Sequence, residues 1–350
     1  MLGLSIVGKS KEIFMKLKHL SLILLSMQSL GFSGDCPVEV KEPVNSLTVY
    51  QTKPKKGTGL FATADALIIN AYQTGLEFTL KSPTNIDPEA FVGKFKRPKQ
   101  CYKWGWRVGL GYHTPHDDWE IYANWTSFNP SAYKNSYGTS TTALKNLDTV
   151  SGNTLYYNSA RSFWKLRLNV GDINLGKRFY VSDYIQFQPF AGIKCIWVHQ
   201  KIYDNYASPA SISPTVLSPD KINFINQYWG IGIEGGINTT WQIAKGFSII
   251  ANVMSANVCG NYHLQMNETL SGQIYANSRE KPHASKAVTD YQLGVKYEKM
   301  WNDCFYYHIQ LAWEQHMFYN QLQWQGSAPT PTPNGDLGVT GVSLNIRVGF

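Results

Sequence analysis

The chain has 350 residues, of which 16% are Asp, Glu, Lys or Arg, against about 25% in an ordinary soluble protein. Aromatics make up 14%, with 11 Trp, 21 Tyr and 16 Phe, and 29 Gly and many neutral polar residues replace the missing charge. A helical membrane protein is excluded, because a transmembrane helix needs about 20 predominantly apolar residues in a row and the longest such run, within 20–32, is short. The formal charge of +8 drops to +5 without residues 1–31, which hold four Lys and one Glu and leave 28 basic against 23 acidic residues. An excess that mild and dispersed does not point to nucleic acid.

The N-terminus reads as an export signal beginning at Met15, where Lys16 and Lys18 precede a short apolar core. Residues 1–14 read as upstream extension. Ser29 and Gly31 set cleavage after Gly31, with Ser33 the neighbouring option. Lipidation of Cys36 would need a small residue before it, and Asp35 stands there. Residues 32–59, with Pro37, Pro43, Pro54 and KPKK, read as an irregular periplasmic leader, and 60–350 as one domain.

That domain is organised by a period of two. Val342, Leu344, Ile346, Val348 and Phe350 alternate with polar or small residues, as do Trp104, Trp106, Val108, Leu110 and Tyr112. The same holds for Trp119, Ile121, Ala123 and Trp125, for Ile185 through Trp197, and for Trp229 through Trp241. Segments of about ten residues or more with aromatics toward their ends are what an antiparallel transmembrane β-barrel requires, since lipid and lumen alternate along every strand. Ten strands are predicted, at 60–79, 101–114, 117–129, 161–180, 184–204, 226–243, 247–266, 287–300, 304–324 and 339–350. Twelve result if 130–160 or 205–225 adds a hairpin. Short connections near 115, 182, 245 and 302 then face the periplasm, and long loops face outward. Between Trp164 and Phe179 the apolar phase slips by one residue, so a bulge is predicted near Gly171 and Asp172.

Strand parity directs Lys103, Arg107, Lys165, Arg167, Arg178, Lys194, Lys296 and Arg347 into the lumen, against Glu120, Glu234, Asp290, Glu298 and Glu314. An open path through that set would favour anions weakly. The competing expectation is that the charges pair across a filled interior, since about eight strands leave no free lumen and ten are few. His199, His308 and His316, with Glu314 and Asp290, are the residues a barrel enzyme would use, but no catalytic spacing accompanies them, so no catalytic residue is assigned. HTPHDD at 113–118 contains Pro115 and reads as a turn, not a metal site. The five Cys, at 36, 101, 195, 259 and 304, show no metal-ligand spacing. Their odd number in an exported chain leaves Cys36 and Cys101 as candidates for disulfides between copies, and Cys195 facing lipid. Neither a cofactor nor a metal is expected.

ATADALIINAYQTGLEF (62–78), WGWRVGLGYHTPHDDWEIYANWTSF (104–128), WKLRLNVGDINLGKRFYVSDYIQFQPFAGIKCIWVHQKI (164–202) and the closing Phe350 resemble the Legionella-type major outer-membrane protein family, pore-forming barrels also found in chlamydia-like bacteria. The resemblance spans most of the mature chain. It implies a porin-like barrel in the bacterial outer membrane, passing small solutes by diffusion. The expected alternatives are a structural or adhesive surface barrel without conductance and a barrel hydrolase. Expected partners are outer-membrane lipid and the outer-membrane assembly machinery, which reads an aromatic terminus such as Phe350.

Overall fold

Wherever the period-two pattern runs, the chain is extended and neighbouring strands complete one another's hydrogen bonds, because lipid offers no partner to a bare strand edge. The computed structural model describes residues 59–84, 92–114, 118–147, 156–207, 219–301, 305–323 and 335–349. These form strands and no helix. In chain order they are β1 (Leu60–Gln73), β2 (Thr79–Pro83), β3 (Lys94–Lys96), β4 (Lys103–His113), β5 (Trp119–Phe128), β6 (Ser131–Tyr137), β7 (Thr142–Asn146), β8 (Tyr156–Tyr157) and β9 (Ser159–Lys177). There follow β10 (Phe179–Tyr180), β11 (Ile185–Ala207), β12 (Asp220–Ala244), β13 (Phe247–Leu270), β14 (Gln273–Glu280), β15 (His283–Trp301), β16 (Phe305–Leu322) and β17 (Gly335–Gly349).

Ten of them close an antiparallel ring in the order β1, β4, β5, β9, β11, β12, β13, β15, β16, β17 and back to β1. All ten correspond to strands expected from the sequence. The 130–160 segment adds strands, as its polarity allowed, but they do not enter the ring: β6 pairs with the outer part of β9, and β7 and β8 join β2 and β3 in a separate four-stranded sheet. Starting at Tyr72 and following paired residues through Gly338, Met317, Thr289, Ser255, Gly235, Ala191, Leu175, Ile121 and Tyr112 returns to β1 at Leu60, twelve residues from the start. A stagger of twelve across ten strands tilts each strand by about 40° from the barrel axis.

The outward apolar face marks the membrane. On β12 it runs from Trp229 through Ile231, Ile233 and Ile237 to Trp241, all exposed, with Ile233 at 76%. At about 3.3 Å per residue and that tilt, Trp229 and Trp241 stand about 30 Å apart along the axis, enough to bracket an apolar band about 25 Å tall. The β12–β13 connection is the tight turn Lys245–Gly246, where Gly246 takes φ +80°, a conformation a side chain disfavours. Leader residues 32–58, the export signal, Pro115, Cys36, Cys304 and Phe350 lie outside the described residues.

Above the belt the strands continue and invert. Trp164, Leu166, Leu168 and Val170 on β9, Ile196, Val198 and Ile202 on β11, and Ile222, Phe224 and Tyr228 on β12 all point inward and are buried in one apolar cluster. The predicted bulge at Gly171 and Asp172 is absent: β9 pairs with β11 without a break from Ser159 to Gly176. The slip in apolar phase arises because the strand leaves lipid. Within the membrane Ile173 and Leu175 face outward, whereas above it the apolar face turns inward, as in a soluble barrel, with Gly171 at the crossover and its missing side chain leaving room for the Trp125 and Trp197 rings, 5.1 Å apart.

The sheet of β2, β3, β7 and β8 extends the same core with Phe78, Leu144 and Tyr157. Tyr206 Oη donates to the Phe78 carbonyl at 2.6 Å. Asp220, buried at the outer tip of β12, accepts hydrogen bonds from Asn146 Nδ2 and, at 3.2 Å, from Tyr157 Oη. Burial, reinforced by the nearby Glu268 and Asp204 charges, pushes the Asp220 carboxyl up to about 7. A carboxyl whose folded value is raised favours the fold below the ordinary carboxylate range and loses that contribution as pH rises through about 7. Protection of the 79–83 and 142–146 amides, taken relative to the intrinsic base-catalysed exchange rate, is therefore expected to fall between about pH 4 and about pH 7. Asp220→Asn is expected to remove that slope, and an unchanged slope in the variant would exclude Asp220 as its source.

Candidate functional site

Inward positions at membrane level build a polar chamber of about 400 Å³. Its lining includes residues of the short-turn end, Gly59, Ser182, Asp183 and Tyr184, and its outer boundary is apolar, formed by Leu67, Ile69, Phe128, Leu168, Val170, Phe318 and Val339. Of the residues that sequence parity directed inward, Arg107, Glu120, Arg178, Lys194, Glu234, Asp290, Lys296, Glu298, Glu314 and Arg347 line this chamber.

Three do not. Lys165 and Arg167 lie exposed on the outer face of β9, because the strand keeps one phase where a bulge had been expected. Lys103 is exposed at the outer end of β4 and does not line the chamber. Asp65 and Asp172, absent from the expected set, do line it. Both were legible: Asp65 shares its parity with Thr63 in a strand whose other face is Ala62, Ala64 and Ala66, and Asp172 follows from an unbroken β9. The corrected lining holds seven strand carboxylates (Asp65, Glu120, Asp172, Glu234, Asp290, Glu298, Glu314) against five cations (Arg107, Arg178, Lys194, Lys296, Arg347). The charge excess of the lining is thereby negative, where the sequence led to a positive one.

The charges pair in two groups. Toward the short turns, Glu120 Oε2 receives Arg178 Nη2 at 2.7 Å and Arg347 Nη2 at 3.2 Å. His113 Nε2 lies 2.9 and 3.0 Å from the same two guanidinium nitrogens, so it must accept, which places the ring proton on Nδ1, 3.2 Å from Glu120 Oε2. The Arg347 guanidinium stacks on Phe61, 3.4 Å from the ring centre. One carboxylate on β5 thus gathers His113 of β4, Arg178 just past the end of β9, and Arg347 of β17.

The second group crosses the lumen. Lys194 Nζ meets Asp172 at 2.6 Å, Glu234 at 3.2 Å and Asp290 at 3.5 Å. Asp290 meets His316 Nδ1 at 3.0 Å, and His316 Nε2 stands 3.4 Å from Glu314. Glu314 accepts from Arg107 Nη2 at 3.2 Å, and Arg107 Nη1 donates to Asp65 at 2.8 Å. Asn345 Nδ2 donates to Asp65 and its Oδ1 contacts His308 Nε2 at 2.9 Å; Tyr306 Oη, 3.1 Å from His308 Nδ1, donates to Glu298, itself 2.8 Å from Lys296. The polar partners of His308 are Tyr306 and Asn345, and those of His316 are Asp290 and Glu314. His199 lies on the outer face of β11, outside the chamber. Among the described residues no group of His, Cys, Asp and Glu is placed to hold a metal. Cys101 and Cys259 are exposed, and Cys195 is half-buried on the outward face of β11; none of the three is in a disulfide.

With a closed ring, a lipid belt and a chamber of paired charges in place, the comparisons decide the family. Residues 52–350 match the family model described as the Legionella pneumophila major outer membrane protein precursor. The chain belongs to the Legionella major outer membrane protein family. It is an outer-membrane β-barrel. No curated protein matches the chain. Among solved structures it is similar to the outer membrane protease OmpT from Escherichia coli, at 8% identity and TM-score 0.43, covering 83% of this chain and 96% of that one. It is similar to the Pseudomonas putida toluene transporter TodX at 9% identity and TM-score 0.31, covering 85% and 90%. It is also similar to Ail, the attachment invasion locus protein of Yersinia pestis, at 8% identity and TM-score 0.21, covering 83% and 99%.

The lower charge group gives a direct test within this family member. Glu120→Gln leaves two half-buried guanidinium groups without their shared counter-charge, and is expected to lower unfolding stability by about 2–3 kcal/mol. Lys165→Gln, on the exposed outer face, is expected to stay within about 0.5 kcal/mol of the parent. Denaturant midpoints of the refolded proteins measure both. Equal, small shifts would mean that water, and not Glu120, satisfies Arg178 and Arg347.

Proposed function

We propose that this protein is a surface barrel of the outer membrane whose lumen is shut at rest, a wall element that anchors its extended outer half in the membrane. The observation that carries the reading is the fill of that half: Leu67, Phe128, Leu168, Val198, Tyr228, Val258, Val288 and Phe318 belong to one buried apolar cluster, and the polar side chains buried with it include Gln200, bonded to Trp164 and Gln73, and Asn226, which donates to the Gln323 carbonyl. On this reading that layer is closed to water and hydrated solutes. The reading holds that the barrel is not an enzyme, since its inward histidines are engaged by carboxylates, Tyr306 and Asn345.

A second reading, diffusion of small solutes, is favoured by one feature, the chamber that fills the membrane-level half with charge and water-sized space. It requires the apolar layer to open, and the excess of two carboxylates would then select cations. Outer-membrane insertion through the aromatic terminus at Phe350 belongs to either reading. So does covalent pairing of copies through Cys36 or the exposed Cys101.

Planar-bilayer recording separates the two. The refolded mature protein is expected to show no steady conductance. Replacing Leu168 and Val198 together with Ser should admit water to the outer half and produce a small, cation-preferring conductance. A steady ohmic conductance in the wild type would overturn the closed-barrel reading in favour of the pore, and an anion-preferring current would contradict the corrected lumen charge.

A further inference from the structure

The cations that sequence parity directed into the lumen form a patch on the outside. Trp197 and Trp229 pair at the outer edge of the lipid belt, and the Trp125 ring packs beside Trp197. One outward row further along, Arg167 is paired with His199; the next row pairs Lys165 with Lys201. At the strand tilt derived above these rows stand about 5 Å and about 10 Å beyond the Trp197 level, the depth of a lipid headgroup. Arg161 and Lys221 extend the charge outward on β9 and β12.

No carboxylate opposes them. The outward residues beyond the belt on β9, β11, β12 and β13 are neutral or basic, because the acidic residues of these segments, Asp204, Asp220 and Glu268, turn inward and are buried. Among the described residues, Lys165, Arg167 and Lys201 make no ion pair. Like charges on neighbouring strands repel and call for a counter-charge from outside the protein. The cations sit directly over the aromatic edge of a lipid-facing wall, so a molecule reaching them from the membrane touches apolar surface and cations at once.

We propose that the outer face of β9 and β11 is a docking surface for phosphate-bearing lipid headgroups of the outer leaflet, with Lys165, Arg167 and Lys201 contacting phosphate while Trp125 and Trp197 pack on the acyl chains beneath. Arg167 can hold a phosphate through two parallel N–H bonds, and each basic side chain near an anionic lipid surface contributes about 1 kcal/mol. The surface is independent of the lumen, so it stands whether or not the barrel conducts.

The test uses the full-length refolded barrel in neutral detergent, with lipid A, its dephosphorylated form and inorganic phosphate as probes. Lipid A is expected to bind the wild type and to lose about a hundredfold in affinity on Lys165→Gln, Arg167→Gln and Lys201→Gln combined, following three lost contacts of that size. Lys165→Arg with Lys201→Arg, which keeps the charge, is expected to retain binding. Lys94→Gln, Lys96→Gln and Lys299→Gln combined, the same charge change elsewhere, should leave it unchanged. The proposal is overturned if the triple Gln variant binds lipid A as the wild type does, if the control triple loses binding equally, or if dephosphorylated lipid binds as well. Displacement of lipid A by inorganic phosphate at similar concentration would also overturn it, since the patch would then be a free-anion site and not a lipid dock.

Discussion

The narrowness of a ten-stranded ring governs the rest of the molecule. With a stagger of twelve, the interior is only a little wider than that of an eight-stranded barrel, which side chains fill. Charged inward groups therefore meet partners on neighbouring strands and, in part, across the lumen. At membrane level the partners are charges: Lys194 reaches three carboxylates contributed by β9, β12 and β15, and Glu120 serves two arginines, one just past the end of β9 and one on β17. Removing one member strands the others in a low-dielectric interior, which is why such networks tie strands together more firmly than exposed pairs do.

The second organising feature is that the barrel is two environments in series. Within the membrane it is apolar outside and polar inside; beyond the belt it is polar outside and apolar inside. One strand carries both patterns without breaking phase, as β9 shows with Ile173 outward in lipid and Leu166 inward above it. The inversion gives the outer half an apolar core of its own, to which β2, β7 and β8 add their apolar residues. It also leaves basic residues on an outer surface that abuts the lipid headgroups.

Much of this was legible in the sequence. The ten ring strands and the lipid-facing parity of Trp106, Ile193, Ile231 and Leu344 follow from a period of two and from aromatics at segment ends, signals that do not depend on what lies opposite. The β9 side chains were assigned to the wrong faces for a physical reason: parity alone says which residues share a face, and hydrophobicity says which face is inside only when the solvent on the other side is known. Taking all of β9 to lie in lipid made Trp164 through Val170 look lipid-facing, demanded a bulge, and sent Lys165 and Arg167 inward. Once the strand is allowed to leave the membrane, Asp172 enters the lumen and the sign of its charge changes. The partners within the lumen, such as Asp65 with Arg107 or His316 with Asp290, depend on the ring register and were not readable from single strands.

Water contact inside the barrel tests the central claim most directly. In a refolded, methyl- and amide-labelled sample, transfer of magnetisation from water should reach the side-chain amides of Asn124 and Asn252 in the membrane-level chamber and leave the methyls of Leu166, Val198 and Val258 untouched. Strong water contact along both sets would contradict a dry outer half, and with it the account of a barrel closed by its own apolar core.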